Sequence, residues 1–269
     1  MASSFHSLYL PSADRQSLID TLQASLSALG YTPFDPFALI PGKSYAQAVR
    51  LFVAPEAAGW LRVIGEPDEN LLPSLSQQTL CLSIRLNGTD ASIAVYDNGT
   101  LLDEESAVVT HLSPYLHPAS TIDDLRNTLA HDGAAPRLYN DAALPIDALS
   151  GDLQSLAGQV DMKQANSMFA RLSGQLMKKA GGDKQEAADL LKSGADWDSA
   201  GGKRIRSLMA CLNVPDDWRT PDFVSLRDAY QLHIRSQRLP NARLYPGDAE
   251  TMAQIPNALE YTPVYAGKS

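Results

Sequence analysis

Residues 80–97 read Leu80-Cys81-Leu82-Ser83-Ile84-Arg85-Leu86, then Asn87-Gly88-Thr89-Asp90, then Ala91-Ser92-Ile93-Ala94-Val95-Tyr96-Asp97. Leu80, Leu82, Ile84 and Leu86 recur at every second position, with Ser83 and Arg85 facing the other way, which is the period of a β-strand. The tetrapeptide that follows is turn chemistry. A returning strand over 92–97 runs to a second turn at Asp97-Asn98-Gly99. Two strands joined this tightly are antiparallel, and that decides the fold class.

Outward from this hairpin lies a second one. Residues 48–54 alternate Val49, Leu51 and Val53 against Arg50, and residues 60–65 return after a short connection holding Pro55 and Gly59. Between the hairpins, residues 68–77 have room for one or two helical turns. Before them, Leu18, Ile19, Leu22, Leu26 and Leu29 predict an amphipathic helix over 14–29. Ser12 or Asp14 caps it and Gly30 stops it. The stretch from Tyr31 to Gly42, rich in proline and aromatic residues, reads as irregular. Connections too short for parallel crossovers imply an antiparallel sheet of about four strands packed by a helix.

After Pro118 the pattern changes. Ser120-x-x-Asp123 resembles a capping box opening a helix to about His131. Gly133, Pro136 and Pro145 then mark a linker. Apolar stripes at helical spacing follow: Ile146, Leu149, Leu153 and Leu156; Met168, Phe169, Leu172 and Leu176; Ile205, Leu208, Met209 and Leu212; Phe223, Leu226, Tyr230 and Ile234. Near the C-terminus, Pro240-Asn241-Ala242 and Pro256-Asn257-Ala258 are each followed by a tyrosine, Tyr245 and Tyr261, in what reads as an irregular tail. The expectation is an α+β protein with an antiparallel-sheet domain over 1–118, a helix and linker over 119–145, and a mainly α-helical part over 146–269.

The chain has 269 residues, of which 44% are hydrophobic and 20% charged, enough to bury a core in one large domain or two small ones. A net charge of −9 argues against a dedicated polyanion binder. The charge is uneven: residues 1–118 carry 5 Lys/Arg against 12 Asp/Glu, and residues 162–244 carry 14 against 9. Cys81 and Cys211 sit in apolar periodic segments, outside any C-x-x-C pattern, and are expected to be buried, reduced thiols. The N-terminal residues lack a basic n-region and a long apolar h-region, and no run of apolar residues is long enough to span a bilayer. Cytoplasmic placement without a membrane partner is the expectation.

Motifs that would specify chemistry fail on inspection. Gly-Lys-Ser at 42–44 and at 267–269 lacks the glycine a phosphate loop needs five positions earlier, and Gly202-Lys203 is followed by arginine. Neither G-x-G-x-x-G nor G-x-S-x-G occurs, so no cofactor is implied. His111, His117 and His131, with Asp123 and Asp124 between them, are spaced too loosely for a local metal motif, and no metal is expected. Carboxylates cluster at Asp103-Glu104-Glu105 and at Asp196 and Asp198, but acid–base catalysis needs two held in different environments, which proximity in sequence does not supply, and Asp196 and Asp198 precede a helix, where acidic residues cap and complement the dipole.

One local feature offers a contact. Gly201-Gly202-Lys203-Arg204-Ile205-Arg206 opens a helix with two glycines and three cations, which could hold an anion or a partner. With Ile205, Leu208, Met209 and Leu212 facing the core, Lys203 and Arg206 lie on neighbouring turns toward solvent and Arg204 diverges from them. The sequence therefore favours a non-catalytic interaction or adaptor protein that receives a protein segment on a sheet edge or helical groove. Two alternatives stand beside it. One is an enzyme of unrecognised type with a site between the two parts and the histidines lining it. The other is weak anion or nucleic-acid binding through 203–206, although the acidic balance disfavours nucleic acid.

Overall fold

The computed structural model describes residues 4–11, 14–38, 45–130, 195–241 and 243–269, all belonging to one compact unit. Its frame is an antiparallel sheet of eight strands in the order β2-β8-β3-β4-β1-β5-β6-β7. The strands are β1 Phe5–Pro11, β2 Thr32–Pro33, β3 Gln47–Val53, β4 Trp60–Glu66, β5 Cys81–Asn87, β6 Asp90–Asp97, β7 Thr100–Leu102 and β8 Thr262–Lys268. The described helices are α1 Arg15–Ala28, α2 Leu71–Ser76, α3 Glu105–Leu112, α4 Ile122–Leu129, α5 Ala200–Cys211, α6 Phe223–Arg238 and α7 Asp248–Gln254.

Both hairpins form at the expected places. Asn87 pairs with Asp90 across the Gly88-Thr89 turn, and β3 pairs with β4 from Arg50 opposite Glu66 to Val53 opposite Val63. Four strands were not foreseen, the short β2 and β7 and the longer β1 and β8, and they change the sheet from about four strands to eight. β1 is its centre, bonded to β4 on one side and to β5 on the other, and every residue of β1 is buried. β8 comes from the segment expected to be an irregular tail. It inserts between β2 and β3, with Val49 opposite Ala266 and Leu51 opposite Val264. Residues near the C-terminus thus complete a sheet begun near the N-terminus.

The alternation of each strand feeds two opposite faces. On one face Leu8, Leu10, Leu51, Val53, Leu61, Val63, Cys81 and Val264 pack against Leu18, Ile19, Leu22 and Leu26 of α1 and against Leu71, Leu72 and Leu75 of α2. Asp14 caps α1 by accepting from the Ser17 N–H at 2.7 Å, and Gly30 ends it at φ 83°. Each of these buried leucines contributes roughly 2 kcal/mol of transfer free energy. On the other face, Phe5, Tyr9, Trp60, Leu82, Ile84 and Val95 meet Val109 and Leu112 of α3, Leu125 of α4 and Ile205, Leu208 and Met209 of α5. Farther along that face, Phe52 and Tyr265 pack with Leu226 and Tyr230 of α6.

Covering both faces has consequences for individual side chains. Ser83, expected to face solvent, is only 9% exposed, because helices cover its side of the sheet too. Cys81 and Cys211 are both buried free thiols, in cores on opposite sides of the sheet. Burial pushes the Cys81 thiol up to about 12 and raises that of Cys211 as well. The α4 capping box lies one residue beyond the expected position: Thr121 accepts from the Asp124 N–H at 3.2 Å, and Asp124 accepts from the Thr121 N–H at 2.8 Å. The tyrosines after the repeated Pro-Asn-Ala tripeptides part ways, Tyr261 being buried and Tyr245 63% exposed. Among the described residues, no helix is long and apolar enough to cross a membrane. The linker at 132–145, the stripes at 146–176 and His131 lie outside the described residues.

One buried cation ties the sheet to the segment before α6. Arg62, in the middle of β4, is fully buried beneath that segment. Its Nε donates to Ser7 Oγ at 3.0 Å, Nη1 to the Thr220 carbonyl at 3.1 Å and Nη2 to the Pro221 carbonyl at 3.0 Å. The guanidinium also lies 5.3 Å from the centroid of the Phe5 ring. A planar group with donors in three directions suits this junction as a lysine would not.

Candidate functional site

The basic start of α5 is built for packing as much as for contact. Ser199 caps the helix, its Oγ accepting from the Gly202 N–H at 3.0 Å, while the Lys203 N–H donates to the Ser199 carbonyl at 2.9 Å. Those two amides are engaged within the helix start. The glycines are needed because α5 begins against other backbone. A side chain at Gly201 would collide with the Thr89 carbonyl and Ala91, and one at Gly202 with Asp196 and Trp197. The helix is thereby seated on the β5–β6 turn, where the Asp196 N–H donates to the Gly88 carbonyl at 2.8 Å.

The three cations separate as the helical rotation implies. Lys203 is exposed. Arg204 turns to the end of α4, where Nε donates to the Thr128 carbonyl at 2.9 Å and Nη2 to the Leu129 carbonyl at 2.6 Å. It therefore satisfies helix-terminal carbonyls that would otherwise lack partners. Arg206 lies 3.6 Å from Asp198 and shares a groove of about 320 Å³ with Ser207, Met209, Ala210 and Arg219. Arg219, which the spacing around 203–206 does not flag, joins Arg206 there because the chain turns back after α5.

The histidines occupy separate settings. His111 places Nε2 3.3 Å from Asp97 and Nδ1 3.0 Å from the Ala107 carbonyl, while His117 Nδ1 accepts from the Ala119 N–H at 3.1 Å. Among the described residues, no three His, Cys, Asp or Glu side chains are arranged to hold a metal.

His6, which the sequence gives no reason to single out, lies 3.2 Å through Nε2 from Ser83 Oγ and 3.3 Å through Nδ1 from Arg85 Nη2. This has the outline of a nucleophilic serine beside a base, with an arginine where an orienting carboxylate would stand. The arginine reverses the chemistry. A guanidinium only donates, so Nδ1 accepts, the neutral ring carries its proton on Nε2, and that proton points at Ser83. Burial and the Arg85 charge hold the His6 pKa down to about 3. A base that weak, with its proton already facing the hydroxyl, does not activate a serine. The cluster is a polar tie between β1 and β5 in which the imidazole is neutral and Arg85 carries the charge.

The two sheet edges differ. At one, β2 is two residues long. Phe34 N–H donates to the Tyr265 carbonyl at 3.0 Å, so Tyr265 and, by alternation, Pro263 face outward. Pro33 and Pro263 lack the N–H that an added strand would need. A groove of about 300 Å³ beside this edge is lined by Gln23, Leu26, Pro33, Phe34, Asp35 and Pro263 among others.

At the opposite edge, among the described residues, the start of α5 packs against Thr89 and Ala91 through Gly201, and the outer side of the residues beyond them has no proline. β7 pairs only with Val95, Tyr96 and Asp97 of β6. Among the described residues no strand pairs with the outer side of residues 90–94. The two-residue turn makes Asn87 and Asp90 a hydrogen-bonded pair. The backbone groups of Asp90, Ser92 and Ala94 consequently point to β5, and those of Ala91 and Ile93 point out of the sheet. Residues 91–94 contain no charge and no proline, and each is half-buried.

No protein-family model, curated protein or solved structure matches the chain.

Proposed function

We propose that this chain is a non-catalytic protein-interaction or adaptor protein, and that it receives an extended segment of a protein partner along the outer edge of β6. The observation that carries this reading is the open stretch at residues 90–94, bounded by the β5–β6 turn and by β7. Among the described residues no strand pairs with this edge, and it holds no proline and one charge, Asp90; strand addition uses such an edge, main-chain bonds giving affinity and alternate side chains selectivity. The polarity of the His6, Ser83 and Arg85 cluster gives the enzyme alternative no support. Two buried thiols suit a reducing compartment such as the cytoplasm, which belongs to the same proposal.

The experiment is selection of extended peptides from a random library against the purified chain, followed by comparison of two variants. Ile93→Pro removes an outward N–H that β5 does not use, and Ile93→Thr keeps it while losing a similar amount of side chain. Selected peptides should bind Ile93→Thr and lose at least about tenfold in affinity for Ile93→Pro. Equal binding to both would contradict the assignment. Circular dichroism of each variant establishes that the fold is retained.

Weak anion binding is a second reading with its own observation, the shared groove of Arg206 and Arg219. Lys203 stands on the same exposed side of α5, and Arg204 is held by α4. Phosphate titration should then perturb the Arg206 and Arg219 Nε–H resonances, and the effect should fall steeply with salt.

A further inference from the structure

We propose that Asn87 is a site of spontaneous deamidation, and that the fold directs this reaction to Asn87 and away from Asn98. Glycine follows asparagine at these two positions, and both stretches read Asn-Gly-Thr. Their local chemistry is therefore the same. In each, the glycine nitrogen can attack the asparagine Cγ, because glycine has no Cβ to block the approach. The new C–N bond closes a succinimide ring and the Cγ–Nδ2 bond breaks. The proton of the glycine amide passes through water to Nδ2, which leaves as ammonia. Water then opens the ring at either carbonyl, giving aspartate or isoaspartate. Water is the one co-reactant.

Both asparagines are exposed and both adjoin tight turns between paired strands, so the difference lies in what holds the reacting atoms. At the β6–β7 turn the nucleophile is tied down. The Gly99 N–H donates to Ser76 Oγ at 3.1 Å, and Ser76, a buried residue of α2, donates in turn to the Pro73 carbonyl at 3.1 Å. The leaving group is tied as well, since Asn98 Nδ2 donates to Asp97 Oδ2 at 2.9 Å. Reaction at Asn98 must first break the hold of α2 on the turn by local opening. At the β5–β6 turn the ladder bonds belong to the flanking pair, Asn87 and Asp90, and the N–H of Gly88 takes no part in them. Contacts of this turn with the start of α5 use other atoms. The Gly88 carbonyl accepts from the Asp196 N–H at 2.8 Å, and the Thr89 carbonyl lies under Gly201.

Those carbonyls give the reaction a structural consequence. Isoaspartate adds a methylene to the main chain just before Gly88, and a carboxylate at position 87 stands directly opposite Asp90. Both changes loosen the turn on which α5 is seated.

The test is incubation of the full chain in mildly alkaline buffer, with peptide mass spectrometry at intervals to quantify deamidation at each asparagine. In the folded chain Asn87 should react at least about tenfold faster than Asn98. In concentrated urea the two should react at equal rates, because their neighbours are the same. Ser76→Ala, which frees the Gly99 N–H, should speed Asn98 severalfold and leave Asn87 unchanged, with circular dichroism establishing that the variant is folded. In aged protein the Asp196 amide should exchange faster than in fresh protein. Equal rates in the folded chain, a faster rate at Asn98, a difference that persists unaltered in urea, or an Asn98 rate unmoved in folded Ser76→Ala would overturn the proposal.

Discussion

Val49 of β3 lies directly opposite Ala266 of β8, so one strand near the N-terminus is completed by one near the C-terminus. The ladder they share runs from Gln47 opposite Lys268 to Val53 opposite Thr262. Both ends of the chain are therefore committed to one sheet, whatever lies between them. A protease site placed between residues 131 and 194 should, once cut, leave two pieces that co-elute in native gel filtration and separate only in denaturant. Two pieces that part under native conditions, each still folded, would contradict the shared sheet.

Arg62 is buried without exposure, and its donors reach Ser7 and the carbonyls of Thr220 and Pro221. Arg62→Ala removes these three hydrogen bonds and opens a cavity, with an expected loss of about 3 kcal/mol. Arg62→Lys should recover only part of this, since the three donors of an ammonium radiate from one nitrogen and do not span acceptors that Arg62 reaches from three. Urea unfolding of both variants is the measurement. A loss within experimental error for Arg62→Ala would remove this residue as the tie to α6.

His6 gives the fold an acid dependence of predictable sign. Its folded-state pKa is held near 3, against an ordinary 6.5 in the unfolded chain. The unfolded state therefore binds the extra proton first. His6 contributes stability that is fully present above about pH 6.5 and is lost as pH falls toward 3, amounting to on the order of 5 kcal/mol at full effect. His6→Asn should flatten the stability profile across that window. An unchanged slope would show that His6 protonates without cost.

Tyr265 carries a buried hydroxyl for which the described residues provide no hydrogen-bond partner, and burial raises its pKa. Its ring packs among Phe34, Phe37, Phe52 and Phe223. Tyr265→Phe should accordingly be neutral or stabilising by up to about 1 kcal/mol. A loss larger than that in thermal unfolding would reveal a partner for the hydroxyl.

The hairpins and α1 were legible because their signals are local: strict alternation, a two-residue turn, and a cap and stop at Asp14 and Gly30. β1 was not, since a strand buried on both faces shows little alternation, and His6 and Ser7 interrupt its apolar run. β8 begins Thr-Pro and contains Gly267, which read as loop chemistry. Gly267 packs under the Tyr45 ring and Pro263 sits where an edge tolerates it, both tertiary facts. α3 was missed because it is only eight residues long and its start has no side-chain cap, although Glu105 in its first turn suits the helix dipole. At the basic start of α5, helical rotation foretold that Arg204 would diverge. Its acceptors, Thr128 and Leu129, lie on a remote helix and could not be named. The free edge of β6 was legible only as a possibility, because which strand ends unpaired depends on the length of β7 and on the order of the whole sheet.

Amide exchange resolved at single residues tests the central claim most directly. The account predicts an alternation along β6. Ser92 and Ala94, bonded to β5, should exchange slowly, and Ile93, pointing out of the sheet, should exchange at least about a hundredfold faster, while the Ala91 amide is screened by Gly201 of α5. Addition of an edge-binding peptide should then slow Ile93 while leaving Ser92 and Ala94 unchanged. Uniform protection of residues 91–94 in the isolated chain would mean that the edge is already occupied, and would contradict the strand-acceptor account.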